Sequence, residues 1–400
     1  MPDTDVVLRR CAIVHIEPEE TLVFDPIRLL GGDDGLVPQV EWRALAPHLP
    51  HAVGLDEGEL HALREVSALA WKPRAAVEAA IGADRTASLL AKGLLLCRGS
   101  DDPAALLRDE GLRDTHWHPG AAVAHAFSRW SDNDADAARR EARPDAVQEM
   151  VDRFGGPPPH FHRRADAARR VVLAPAARTG VDDLLAHRAT CRNFDPLHVL
   201  PAATLSAMLK RAFGAHGVEE LAPGAVAVKK NHPSGGALHP VEAYLIVQRA
   251  EGLATGLYHY NVEAHALDLL RELNPTEARA LATTAVARQG FFADAPVMVV
   301  MAARFARSFW KYRAHPKIYR AILLETGHIS QNIYLTATEM DIGAFITAAI
   351  NEVEVEQAFG LQSMQEGPLA ICGFGPRAQR KTTVEFDPLG AVWDETGQRR

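Results

Sequence analysis

The chain has 400 residues, 47% hydrophobic and 24% charged, and its 43 basic and 51 acidic side chains give a formal net charge of −8. That length favours two or three domains over one core, and the charge balance excludes a broad electrostatic attraction to nucleic acid or to an anionic membrane. The opening Met1-Pro2-Asp3-Thr4-Asp5 lacks the basic start and apolar run of a secretory signal, and no apolar stretch reaches the length of a membrane span. Cys11, Cys97, Cys191 and Cys372 are scattered without CxxC spacing, so free thiols in a reducing cytoplasm are expected, not disulfides or a thiolate zinc site.

Residues 1–100 begin with strand-like runs at Val6-Val7-Leu8 and Ala12-Ile13-Val14. Asp56 with Glu59 three residues on has the pattern of a capping box, Pro73 suits the first turn of a second helix, and Ala87 to Leu96 reads as a short helix running into an apolar segment. Helix, turn, helix and strand in this order predict a small winged-helix-like domain. Its second helix lacks a dense basic face, so peptide binding or a structural role is expected in place of DNA binding.

Residues 101–169 read as a polar, helix-containing linker, with the charged run SDNDADAARREARPD and the stiff Gly155-Gly156-Pro157-Pro158-Pro159. Two His-x-His pairs, His116/His118 and His160/His162, would each share a face on a strand and could chelate. No carboxylate or cysteine stands at a fixed spacing beside them, and 18 histidines produce such pairs by chance, so no metal is expected.

Residues 170–400 carry the clearest pattern. Segments 241–248, 297–303 and 369–375 read as strands, two of them so continuously apolar that both faces should be buried. Helices are predicted over 202–214, 276–289, 318–340 and 352–360. The helix over 318–340 has Ile322, Ile329 and Ile333 on one stripe and Leu324 and Leu335 on another, which predicts burial on both sides at a domain centre or a dimer seam.

Several nucleotide and hydrolase signatures fail. GFGPRA (373–378) lacks the third glycine of a dinucleotide fingerprint and has too little chain after it for a βαβ unit. There is no GxxxxGK[ST] loop and no GxSxG elbow. Three constellations remain. Arg188-Ala189-Thr190-Cys191-Arg192 places two guanidinium groups and a hydroxyl on one helical face or one turn, which suits an anion. Ser234-Gly235-Gly236 lies between Pro233 and Pro240, a backbone able to lie flat against a planar ligand. Phe309-Trp310-Lys311-Tyr312-Arg313 offers a cation, a base or a phenolic proton if burial tunes it.

Taken in order, RATCRNF, PSGGALHPVEAYLIV, GLYHYN, FWKYR and YRAILLETGHISQNIYLTATEMDIG resemble the nitroreductase-like FMN oxidoreductases, and more narrowly the SagB-type azoline dehydrogenases of ribosomal peptide maturation. The resemblance covers about residues 180–380. It implies an α+β fold, with a central, mainly antiparallel sheet flanked by helices in a domain over 170–400. It implies FMN held by Arg188, Thr190 and Arg192, by the loop of Ser234, Gly235 and Gly236, by the turn at Ala348 and Ala349, and by Arg377 and Arg380. His239 falls where classical relatives have a glutamine beside the flavin. Lys311 and Tyr312 match the branch's catalytic pair. The resemblance further implies a homodimer that oxidises thiazolines or oxazolines of a modified precursor peptide to azoles, beside a cyclodehydratase complex. Two alternatives are a flavin-dependent NAD(P)H reductase of dehydroamino acids, olefins or nitro compounds, and a leader-peptide-binding scaffold.

Overall fold

The computed structural model describes residues 6–99, 103–137 and 146–400. Part of the charged run SDNDADAARREARPD lies outside the described residues.

The N-terminal unit contains β1 (Val7–Arg10), β2 (His15–Phe24), β3 (Leu36–Leu45), β4 (Val53–Leu55), β5 (Lys72–Pro73) and β6 (Leu95–Arg98), arranged in the sheets β5-β1-β6 and β2-β3-β4. Helix Glu57–Glu65 begins with the expected box: Asp56 accepts from the Glu59 backbone at 2.7 Å, and Glu59 accepts from the Asp56 backbone at 2.9 Å. Pro73 stands one residue earlier than expected, as the N-cap of helix Arg74–Ile81, and pairs with Val7 at the sheet edge. The next helix runs over Ala83–Ala91, not from Ala87, because Gly82 at φ 91° separates two short helices. Leu8, Leu63, Val77, Ile81, Leu89 and Leu95 close a separate core over these elements. The long hairpin β2–β3, whose ten-residue strands pair from His15↔Leu45 to Phe24↔Leu36, was not expected.

The expected linker is largely a packed strap. Helix Ala104–Thr115 is tied to β1 by buried Asp109, which holds Arg9 and Arg113 and accepts from the Ala12 backbone. Trp117 and helix Pro119–Phe127 then enter the core of the C-terminal domain. Trp117 donates to the Met364 carbonyl at 2.7 Å and packs on Phe305 and Phe309. His125 stacks on Trp117 and bonds Tyr319 and the Ser363 carbonyl. Linker character belongs to the later part: helix Ala146–Phe154 precedes an exposed stretch, 155–179, without helix or strand.

The C-terminal domain contains a hairpin of β7 (Ala215–Ala222) and β8 (Ala225–Lys230). Its main sheet is built from β9 (Val241–Val247), β10 (Gly256–Asn261), β11 (Ala266–Glu272), β12 (Val297–Arg304), β13 (Gly343–Thr347) and β14 (Glu366–Gly375), in the order β11-β10-β9-β12-β14-β13. Every neighbouring pair is antiparallel. Alternate residues serve opposite cores: Val297, Val299 and Met301 face helices Ala202–Phe213 and Ile318–Glu339, while Met298 and Val300 face helices Pro275–Ala285 and Glu352–Phe359. The failed dinucleotide fingerprint is thereby explained. Gly373 and Gly375 are strand residues, and an added Cβ would sit 2.2 Å from the Phe345 ring or 2.3 Å from Pro296.

The long helix Ile318–Glu339 carries its Ile322, Ile329 and Ile333 stripe inward as expected. The second stripe differs from expectation in this single chain. Leu323 and Leu324 are exposed, Leu335 is half-buried, and an added Cβ on Gly327 would meet nothing within 4 Å.

The C-terminal segment is fastened to residues 188–194 through Asn193 and Glu385. Asn193 Oδ1 accepts from the Thr382 and Thr383 backbones. The buried Glu385 carboxylate accepts from the Arg192 backbone, Asn193 Nδ2, Arg377 and Trp393. Replacement of Glu385 by Ala should cost about 3–5 kcal/mol in denaturant unfolding, because it leaves the Arg377 charge buried and unpaired; a loss below about 1 kcal/mol would contradict this assignment.

Strap docking brings Arg129 against Glu356, with Glu352 and Glu354 nearby. Burial pushes Glu352 and Glu356 from 4.5 up to about 7. Both carboxyls therefore keep protons in the folded chain that the unfolded chain has released. Thermal stability should be fullest below about pH 4.5 as far as this pair is concerned and fall as pH rises through 7, and Glu352→Gln/Glu356→Gln should flatten that slope. An identical pH profile in the double variant would refute the account.

Candidate functional site

The anion-type segment is extended, not helical or turned. The helix preceding it, Gly180–His187, ends before Arg188, and the chain then forms isolated bridges Thr190↔Ala344 and Phe194↔Arg377. Period two therefore governs it: Ala189, Cys191 and Asn193 are buried, while Arg188, Thr190 and Arg192 share the more open side. Tyr334 of the long helix organises this strip. Its hydroxyl meets Thr190 Oγ1 at 2.9 Å and accepts from the Ile346 backbone at 3.1 Å, and the Arg188 guanidinium lies 5.2 Å from its ring centroid. Arg192 reaches the Val384 carbonyl with one nitrogen and lies over Phe291, yet its buried Nε has no hydrogen-bond partner.

Arg377 is not available to a ligand on that strip. Its guanidinium is buried, paired with Glu385 at 3.0 Å and donating to the Ala189 carbonyl at 3.1 Å, so it supports the strip from behind. Arg380 is exposed and bridges to Gln398 through its backbone.

The second constellation forms a tight turn. Gly235–Ala237 is a single 3₁₀ turn in which Gly236 has φ 70°, and Ala237 and His239 also adopt positive φ. Such backbone persists in non-glycine residues only where the surroundings over-determine it. Ser234 does much of that: its hydroxyl accepts from the His239 backbone at 2.9 Å and donates to Glu325 of the long helix. A Cβ on Gly235 would touch Ala321 and Ile318, so this loop lies on the first turns of that helix. The His239 ring is buried and turned toward His232 and Glu325, not toward the open side of the loop. Burial pulls His239 down to about 4, which keeps its imidazole neutral.

Lys311 and Tyr312 meet this turn. A Cβ on Gly236 would come within 2.7 Å of Tyr312 Oη and 3.1 Å of Lys311 Nζ, so glycine is what lets the pair approach. The ammonium lies 5.4 Å from the Tyr312 ring centroid. Lys311 is exposed and Tyr312 half-buried in the single chain, so burial does not single out the pair here. Lys311 lines a cleft of about 340 Å³ together with Leu221, Val226, Gly236, Leu238 and Trp310, between the β7–β8 hairpin and the loop.

The turn after β13 places Ala348 in the open and Ala349 half-buried. Thr347 Oγ1 accepts from the Ala349 backbone, and Gln289 donates to both Thr347 Oγ1 and the Ala349 carbonyl. The structure thus joins Arg188, Thr190 and Arg192 in one strip beside β13, and Ser234–Gly236 with Lys311 and Tyr312 in another place. Tyr334, Glu325, His232, Asn193 and Glu385 were missed as site-forming residues. A tyrosine and a glutamate inside an amphipathic helix carry no spacing signal that separates them from ordinary packing. Of the His-x-His pairs, His116 and His118 flank a helix junction, and His160 and His162 lie in the exposed 155–179 stretch; neither pair is on a strand.

Among the described residues, no helix is long and apolar enough to cross a membrane. Residues 185–376 match the nitroreductase family model. The nitroreductase-type protein MJ1384 of Methanocaldococcus jannaschii is 31% identical over 150 residues, covering 38% of this chain and 72% of that protein. The trifolitoxin-processing protein TfxB of Rhizobium leguminosarum bv. trifolii is 32% identical over 145 residues, 36% of this chain and 38% of TfxB. The microcin B17-processing protein McbC of Escherichia coli is 28% identical over 188 residues, 46% of this chain and 65% of McbC. The matched stretch thus spans less than two thirds of each processing protein. The match contains the whole antiparallel sheet, the long helix and all three constellations, and the chain belongs to the nitroreductase family.

Proposed function

We propose that this chain is an FMN-dependent dehydrogenase of ribosomal peptide maturation that oxidises peptide thiazolines or oxazolines to azoles. The observation that carries the reading is the Lys311–Tyr312 pair held against Gly236 at the edge of a cleft, within a nitroreductase-family domain. Likeness to two peptide-processing proteins supports the substrate class.

The residues fit FMN on two counts. Arg188, Thr190 and Arg192 present two guanidinium groups and a hydroxyl on one open side, and Arg192 Nε is a buried donor lacking a partner. Arg188, Thr190 and Arg192 would hold the phosphate, Ser234–Gly236 would lie along the ring, and the backbone at Ala348 and Ala349 would face its polar edge. Arg377 keeps the arginine strip in place through Glu385, and His239 supports the loop from beneath. Bound there, FMN would supply the two-electron acceptor that dehydrogenation needs. Lys311 or Tyr312 takes the α-proton of the azoline ring, while the cleft orients the peptide over the loop.

The same geometry supports a homodimer. The Gly235 contact at Ala321 and the Thr190 contact at Tyr334 are thirteen positions apart on one helix, a rise of about 20 Å. Two-fold pairing over the exposed Leu323–Leu324 face would set the arginine strip of one chain near the glycine loop of the other. The likeness to MJ1384 favours a second reading, an NAD(P)H-dependent reductase on the same frame. Rapid anaerobic bleaching of the flavin by NAD(P)H would select it.

Two outcomes are expected. Lys311→Ala and Tyr312→Phe should each lower azole formation on a thiazoline peptide by about 10²-fold or more, with FMN still bound; undiminished turnover would take both out of the chemistry. Arg188→Ala and Arg192→Ala should each weaken FMN binding by roughly 10–100-fold in a fluorescence titration. Protein that is colourless and takes up no FMN from excess would end the flavin reading.

A further inference from the structure

Behind the glycine loop, three side chains from three segments converge on one point. His232 follows β8, His239 precedes β9, and Glu325 lies in the long helix; their ligating atoms all fall within 4.8 Å of one another, and all three residues are buried. The separations are 3.3 Å between His232 Nε2 and His239 Nδ1, 3.4 Å between His232 Nε2 and Glu325 Oε1, and 3.8 Å between His239 Nδ1 and Glu325 Oε1.

The donor chemistry is unbalanced. His232 Nδ1 is committed to the Ala212 carbonyl, so it carries the proton and leaves Nε2 as a lone pair facing the cluster. The His239 ring has the Val228 backbone as a further partner. Glu325 Oε2 accepts from Ser234, but Oε1, inside a residue 1% exposed, has no hydrogen-bond partner. A lone pair thus faces a carboxylate oxygen that has no hydrogen-bond partner, 3.4 Å away, an arrangement that costs free energy unless a cation or a shared proton lies between them.

We propose that His232 Nε2, His239 Nδ1 and Glu325 Oε1 are the three protein ligands of a zinc-class divalent cation that fastens the Ser234–His239 loop to the long helix. Metal–ligand bonds of about 2.0–2.1 Å in a tetrahedron place ligand atoms about 3.3 Å apart, close to the two shorter separations, and a contraction of a few tenths of an ångström closes the third. Two imidazoles and one carboxylate select a transition-series ion over magnesium or calcium. The Ala212 carbonyl orients His232 in the manner usual for a ligating histidine. Lys230, buried nearby, acts on Glu325 through space and is the rival for its charge. The cation would sit between the loop and the long helix, and its presence does not depend on flavin.

The test is elemental analysis of the full chain, produced without a polyhistidine tag, purified without chelator and desalted. About one zinc per chain is expected, falling to about one tenth or less in Glu325→Gln and His232→Gln. Cobalt(II) exchanged into the wild type should show the visible bands of a tetrahedral ion, absent from both variants. Wild-type protein that contains no zinc and takes up neither zinc nor cobalt on dialysis would overturn the proposal, leaving Lys230 and a proton to balance the cluster. Equal metal content in folded Glu325→Gln would overturn it too, by placing the ion elsewhere. The flavin absorbance of the same samples separates this outcome from failure of the FMN reading.

Discussion

The burial of the helix Ile318–Glu339 against the main sheet is the constraint from which the functional geometry follows. Its isoleucine stripe at 322, 329 and 333 is driven inward by apolar burial, worth about 1.5–3 kcal/mol for each such side chain. Once that stripe is fixed, the helical period leaves little freedom for the polar residues between. Glu325 must point toward the glycine loop and Tyr334 toward the arginine strip, so one packing interaction sets the bearing of both halves of the site. Neither loop carries enough local structure to hold itself. Ser234 anchors the one and Thr190 the other to this single rod.

The strands around 241–247, 297–304 and 366–375 were legible because they are buried nearly throughout, whereas β7 and β11, largely exposed, carry no such signal. Val297–Arg304 has seven consecutive buried residues, and no solvent-facing alternation blurs its limits. The capping box at Asp56 and Glu59 was legible for a different reason, since it is decided within four residues. What sequence could not show was set by distant partners. The segment around Thr190 has two basic residues at a spacing that suits a helix, yet its pairing with Ala344 draws it straight. Arg377 has the composition of a phosphate ligand, yet a glutamate eight positions later claims it. Trp117 and His125 sit in a polar stretch whose average character hides that a few residues enter a core.

The site itself was only half legible. Ser234, Gly235 and Gly236 were conspicuous because paired glycines are punctuation, and Lys311 with Tyr312 because two chemically active side chains adjoin. The reason the two groups touch is steric: Gly236 has no Cβ, and the tyrosine hydroxyl takes up that space. His232 and His239 are seven apart in sequence, a spacing that carries no ligand signal, and the resemblance set His239 beside the flavin. Only the fold brings a helical carboxylate between them.

The strap carries a consequence for how the molecule comes into being. Trp117 finds its carbonyl partner 247 positions later, at Met364, and its ring neighbours Phe305 and Phe309 almost as late. Chains are made from the N-terminus at about 5–20 residues per second, so for many seconds this indole and its helix have no pocket to enter. The first hundred residues can close around their own leucines meanwhile, while the strap waits as an uncovered apolar tether. Cutting the gene at residue 170 to obtain the family domain alone would therefore not free a finished module; it would leave a hole in the wall that the earlier-born segment was meant to fill.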